Sequence, residues 1–203
     1  VDKLNSGVGA LLKRAKVKVV EGWATFSDAK TCKVKTKTGE VIIKAEYIVL
    51  ATGSEAVALP HIPFNASVLS STEALSLPEL PKKLAVVGAG YIGLELGFAF
   101  RKFGSEVTVV EAQDRILPLY DRHLTTPVAQ SLEKAGIVVH LGAKAQGHQK
   151  GKLAVEGKDG KKFDVAADKL LVTVGRKPRT SGWGLEAMGL RSEEHTSELQ
   201  SRF

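Results

Sequence analysis

Residues 84–97 read Leu-Ala-Val-Val-Gly-Ala-Gly-Tyr-Ile-Gly-Leu-Glu-Leu-Gly, and they leave the chain few folds to choose from. Leu84–Val87 is a short apolar run of the kind that a parallel sheet buries on both faces. It leads into the turn Gly88-x-Gly90-x-x-Gly93, after which the pattern becomes helical. The three glycines serve different ends. Gly88 permits a tight turn, Gly90 lets backbone approach a pyrophosphate, and Gly93 lets helix and strand pack closely. The N–H groups of the new helix, at its positive dipole end, would face the phosphates across Gly88, Ala89, Gly90, Tyr91, Ile92 and Gly93. A second apolar strand, Glu106–Val110, ends in Glu111, where this arrangement needs a carboxylate for the adenosine ribose hydroxyls. The same carboxylate would repel a 2′-phosphate, so the pattern predicts NAD rather than NADP; the nearest arginine is Arg115.

Around this unit the chain alternates strand and helix, as an α/β fold with a parallel sheet requires. The patterning predicts helix Tyr91–Phe103, helix Arg122–Ala135, strand Val138–Leu141 and an apolar strand Leu170–Val174. Leu153–Val155 and Phe163–Val165 read as an antiparallel pair turning at Asp159-Gly160. Ahead of the glycine turn, Val1–Lys16 reads as an amphipathic helix with Leu4, Val8, Leu11 and Leu12 on one face. Val17–Val20 reads as a strand, Cys32–Lys37 with Glu40–Lys44 as a hairpin, and Tyr47–Ala51 as a fully apolar strand. Pro60, Pro63, Pro78 and Pro81 punctuate residues 59–83, which places a domain boundary near residue 80.

The net charge of +7 is scattered over strands and turns rather than gathered with aromatics, so no nucleic-acid partner is expected. Lys13, Arg14, Lys16 and Lys18 read as the cationic end of a solvated helix. No apolar run approaches membrane-spanning length and no signal-like start is seen, so a cytoplasmic setting is expected. A single cysteine, Cys32, excludes an internal disulfide and reads as a half-buried strand residue. The five histidines show no metal-ligand spacing, and no metal is assigned. Arg191–Phe203 carries no apolar periodicity and resembles the translation of a sequencing-library adapter, so the cluster of His195 with Glu193, Glu194 and Glu198 is not read as a site.

The order of Thr52-Gly53-Ser54, Ser70–Leu75, the glycine turn, Val109-Val110-Glu111 and Val174-Gly175-Arg176-Lys177-Pro178 resembles the flavin-dependent pyridine nucleotide–disulfide oxidoreductases over residues 1 to about 190. The resemblance implies a Rossmann-like NAD-binding domain inserted into a partial FAD-binding domain. The flavin part would span residues 1–80, the NAD part 81–180, and 181–190 would begin the return to the flavin part. It implies FAD contacts at Gly22, Thr52, Gly53 and Ser54. It places Glu95 near the nicotinamide end, Ala145 with its backbone toward adenine, and Gly175 close to the NAD from the far strand. Arg176 reads equally as a surface charge or a phosphate-side contact, and Tyr91 as a gate or a helix cap.

In the members it is most similar to, electrons pass from dihydrolipoamide, on a lipoyl domain of a 2-oxoacid dehydrogenase complex, through a redox disulfide and FAD to NAD+ in a homodimer. The family's paired redox cysteines and its His–Glu base have no counterpart here, so no catalytic residue is assigned and the chain by itself is expected to be inactive. Two alternatives stand beside this reading. One is another flavoprotein disulfide reductase or a transhydrogenase, and the other a standalone, non-catalytic NAD-binding module.

Overall fold

The computed structural model describes residues 2–190; the adapter-like tail, His195 included, lies outside the described residues. The chain divides into two compact units, one of residues 54–177 and one formed by residues up to 53 together with those from 178 onward.

In the unit that holds residues 2–53 and 178–190, helix α1 (Asp2–Arg14) precedes an antiparallel sheet of β1 (Trp23–Phe26), β2 (Thr31–Thr36) and β3 (Gly39–Lys44). The hairpin expected at Thr38-Gly39 forms in register, with Thr36 opposite Gly39 and Cys32 opposite Ile43. Cys32 and Val34 point inward from β2 and are buried, as their alternation demands. The Phe26 N–H donates to the Trp183 carbonyl at 2.8 Å, and the two rings meet edge-on at 5.9 Å. Two expected strands do not form. Residues 17–20 and 47–51 pair with no neighbour among the described residues, and Val19, Tyr47 and Val49 are 59%, 85% and 91% exposed. Apolar β-branched sequence permits a strand, but only a hydrogen-bonded partner makes one.

The other unit is built on five parallel strands. They are β5 (Val68–Leu69), β6 (Lys83–Val87), β7 (Glu106–Glu111), β8 (Val138–Leu141) and β12 (Lys169–Val172), in the order β5-β12-β6-β7-β8. Helices α3 (Tyr91–Lys102) and α4 (Arg122–Lys134) carry the chain from β6 to β7 and from β7 to β8. Alternation along β6 explains its continuous apolar run. Leu84 and Val86 join Leu94, Phe100 and Leu132 in one core, while Ala85 and Val87 join Leu153, Val155 and Val165 in the other. That second face is covered by an antiparallel sheet of β9 (Lys144–Gln149), β10 (Lys152–Glu156) and β11 (Lys162–Ala166), so the expected two-stranded pair has a third member. Its sequence, Lys-Ala-Gln-Gly-His-Gln, lacks strand periodicity because a bulge breaks the register between Ala154 and Val155. β12 stops at Val172, two residues before the expected end.

The expected boundary near residue 80 also shifts. Two-stranded pairing of β4 (Ser54–Ala56) with β13 (Arg176–Pro178) comes at the start of the 54–177 unit, and the proline-rich stretch contributes β5 to the parallel sheet. Helix α2 (Ser71–Ala74) follows β5 and is held by a capping box. The Ser70 hydroxyl accepts from the Thr72 N–H at 3.1 Å, and Glu73 accepts from the Ser70 N–H at 2.9 Å and from its hydroxyl. Prolines therefore mark turns within this unit rather than its limit.

Candidate nucleotide-binding cleft

The sheet order reverses between β6 and β12, since β7 and β8 follow β6 on one side while β12 and β5 lie on the other. At the carboxyl ends of these strands a cleft of about 900 Å³ opens, within the 54–177 unit. Doubly wound sheets present ligands at this point because the diverging crossovers leave a crevice there.

Each glycine of the turn meets a different environment. Gly88 has φ +101°, and a side chain there would also press on the Thr173 carbonyl at 2.7 Å. At Gly93 a Cβ would collide with the Gly88 carbonyl and the Thr173 hydroxyl, so helix α3 sits against the strand only because that position is bare. Around Gly90 a Cβ would meet nothing within 4 Å, since the position faces the open cleft. Gly90 caps α3 without a side chain, leaving the first-turn N–H groups uncapped by any side chain. Tyr91 is therefore the first helical residue and not its cap; it stands at the cleft wall, 61% exposed.

Glu111 closes β7 and is 9% exposed. One carboxylate oxygen accepts the Ala89 N–H at 2.6 Å and the other the Gln113 N–H at 2.8 Å. These bonds fix the carboxylate beside the glycine turn and leave lone pairs on both oxygens for further donors. The chain beyond β8 returns alongside, with the Ala143 N–H donating to the Glu111 carbonyl at 2.9 Å and Gly142 to that of Gln113 at 2.7 Å. Arg115, the nearest arginine in sequence, turns its guanidinium to the Pro118 carbonyl. Leu117, in the left-handed region at φ +47°, donates its N–H to the Ala89 carbonyl at 2.9 Å and ties the loop after β7 to the glycine turn.

Gly88, Gly90, Tyr91, Ile92, Glu111, Ala145 and Gly175 thus come together around one cleft. Gly175 has φ +146° and its carbonyl accepts from the Val57 N–H at 3.0 Å. Ala89 and Gly93 lie behind the cleft wall and shape it through the contacts above. Glu95 is not brought in; it lies one turn along α3, exposed, and does not line the cleft. Ala145 is buried at the cleft, but its carbonyl already accepts a 2.9 Å bond from His61 Nε2. Arg176 lines the cleft and also donates to the Ser54 hydroxyl and carbonyl at 2.8 and 2.7 Å.

Sequence reasoning missed Thr173, whose hydroxyl donates toward the Val87 and Gly88 carbonyls at 3.2 and 3.1 Å and braces the turn. Its signal in the sequence was a single hydroxyl residue inside the apolar run Leu170–Val174. His61 carried none, because it lies in a proline-flanked connector. Among the described residues no group of His, Cys, Asp or Glu could hold a metal ion, and no helix is long and apolar enough to cross a membrane.

None of the four residues assigned to the flavin lines this cleft. A Cβ at Gly22 would press on Val34 at 2.8 Å and collide with the Lys35 carbonyl, so this glycine lets the chain pass close over β2. The Thr52 hydroxyl donates to the Arg179 carbonyl at 2.9 Å, and Gly53, at φ +72°, accepts from the Arg179 N–H at 3.0 Å. Ser54 is held by Arg176.

Residues 1–197 match the family model of the pyridine nucleotide-disulphide oxidoreductases. The chain belongs to this family. Among curated relatives of the oxidoreductases so matched, it is 52% identical over 191 residues to the dihydrolipoyl dehydrogenase of Pseudomonas aeruginosa, covering 94% of this chain and 41% of that protein. It is 40% identical over 194 residues to the dihydrolipoyl dehydrogenase of Bacillus subtilis, again covering 94% and 41%. Among solved structures, the HOCl-induced flavoprotein disulfide reductase of Escherichia coli superposes with a TM-score of 0.79 at 32% identity, covering 94% of this chain and 43% of that one. The α/β architecture is that of these flavoproteins. The chain spans about two fifths of the length of the curated relatives it matches.

Proposed function

We propose that this chain is an NAD(H)-binding part of a dihydrolipoyl dehydrogenase. The whole protein would oxidise dihydrolipoamide on a lipoyl domain of a 2-oxoacid dehydrogenase complex and pass hydride by way of FAD to NAD+. One observation carries the nucleotide reading: the Glu111 carboxylate, fixed by two backbone N–H groups, beside a glycine turn whose middle glycine faces empty space. The residues fit the dinucleotide. Gly90 leaves room for a pyrophosphate, the opening N–H groups of α3 face it, and the free lone pairs of Glu111 suit two vicinal ribose hydroxyls. Arg115, the nearest arginine in sequence, turns to the Pro118 carbonyl, and the Glu111 carboxylate would repel a 2′-phosphate, which favours NAD(H) over NADP(H).

NAD+ supplies a hydride acceptor when bound; the chain's own part is to orient it and exclude water around it. Tyr91, on the cleft wall at the start of α3, would help to screen the bound nucleotide from water. Gly22, Thr52, Gly53 and Ser54 are proposed flavin contacts of the whole protein. The hydroxyls of Thr52 and Ser54 are engaged within this chain. The higher identity to the Pseudomonas dihydrolipoyl dehydrogenase than to the Escherichia coli reductase supports the dithiol substrate, and a homodimer is the assembly proposed with it.

Calorimetric titration of the chain with NADH and with NADPH tests the nucleotide reading. NADH is expected to bind at least about tenfold tighter than NADPH, a difference of roughly 1.4 kcal/mol. A chain that is folded by circular dichroism yet binds neither would overturn it.

A further inference from the structure

The side of the cleft beyond Glu111 is built by residues 143–146, tied to β7 through the Ala143 N–H on the Glu111 carbonyl. Two residues further on, His61 reaches over from the connector and binds the Ala145 carbonyl through Nε2 at 2.9 Å. A carbonyl only accepts, so Nε2 must carry the proton, and in the neutral ring Nδ1 is then left as an acceptor. The imidazole is exposed, lines the cleft, and makes no other hydrogen bond among the described residues. If Glu111 holds the adenosine ribose, the base attached to that ribose meets this wall.

We propose that His61 is a specificity-determining residue that reads the purine of the dinucleotide. With Nε2 anchored on Ala145, Nδ1 accepts a hydrogen bond from the exocyclic amino group of adenine. A purine bearing a carbonyl at that position sets acceptor against acceptor and is disfavoured. The adjacent bulge, where Ala145 stands opposite Val155 and Gly147 opposite Ala154, breaks the regular ladder at the residue whose carbonyl His61 takes. This inference rests on the NAD(H) reading and adds the base to it.

The test titrates the whole chain with NADH and with its hypoxanthine analogue, in which a carbonyl replaces the adenine amino group. Wild type is expected to favour NADH by about tenfold, the usual worth of one well-placed hydrogen bond. His61→Phe and His61→Ala are expected to narrow that preference to within about twofold. His61→Gln should keep most of it, because its amide can donate to Ala145 and still offer an oxygen. Wild type that binds NADH without preferring it, or a preference that survives in both His61→Phe and His61→Ala with unchanged circular dichroism, overturns the role of His61 and leaves the NAD(H) reading standing. Folded wild type that does not bind NADH removes both.

Discussion

Gly90 and Gly93 lie three residues apart, yet a side chain would meet open cleft at the first and packed backbone at the second. Gly90→Val should therefore leave the melting temperature nearly unchanged while abolishing NADH binding, because the valine occupies the space a pyrophosphate needs. Gly93→Ala should do the reverse in kind, costing about 3 kcal/mol of stability as α3 is pushed off β6. Thermal melts beside NADH titrations separate the two, and a Gly90→Val protein with wild-type affinity would sink the cleft assignment. Glu111 couples both properties. Glu111→Ala strips the acceptor from the Ala89 and Gln113 N–H groups, a loss of about 1–3 kcal/mol, and should weaken NADH binding by at least about tenfold. Its NADH-over-NADPH ratio should also shrink toward unity, which competitive titration would read directly.

Among the elements, α2 depends most on one local device. The Ser70 hydroxyl, with smaller help from the backbone N–H groups of Glu73 and Ser70 and against the opposing effect of burial, holds the Glu73 carboxyl below its usual 4.5. A carboxyl lowered in the folded state stabilises above its unfolded value and loses that support as pH falls through the folded one. Ser70→Ala should thus cost about 1 kcal/mol at neutral pH and progressively less in acid below about pH 4, measured by urea denaturation across pH. A penalty independent of pH would show that Glu73 is not the partner that matters. The unpaired stretches 17–20 and 47–51 differ from β6 and β12 in having no ladder partner among the described residues. Their amides are expected to exchange with solvent deuterium orders of magnitude faster than those of Val86 and Leu171.

At the scale of the molecule, both hydrophobic cores lie within residues 54–177, one on each face of the parallel sheet. The cleft is lined by that unit alone. Residues 54–177 expressed separately should therefore unfold in one cooperative transition and bind NADH within about twofold of the whole chain. A cut at residue 80 should fail, because it removes Val68 and Leu69 from β12 and the α2 cap from behind them. Comparing the two pieces by thermal melt decides which boundary the fold obeys.

The placement of the glycine turn at the head of α3 and of Glu111 at the end of β7 was legible from sequence alone, because it is set by residue type at fixed spacing. A glycine without Cβ and a carboxylate at a strand end have few other uses in that order. The alternation of strand and helix from Leu84 to Leu141 was legible for the same kind of reason, since period and length are local properties. Partnership was not local. Whether Val17–Val20 or Tyr47–Ala51 becomes a strand depends on a neighbour elsewhere in the chain, and a bulged strand such as β9 hides its period. Only the tertiary structure left Glu95 exposed outside the cleft lining, joined the proline-rich connector to the sheet, and set His61 on the carbonyl of Ala145. The last two placements follow from contacts between residues about 80 to 100 positions apart, which no window of sequence contains.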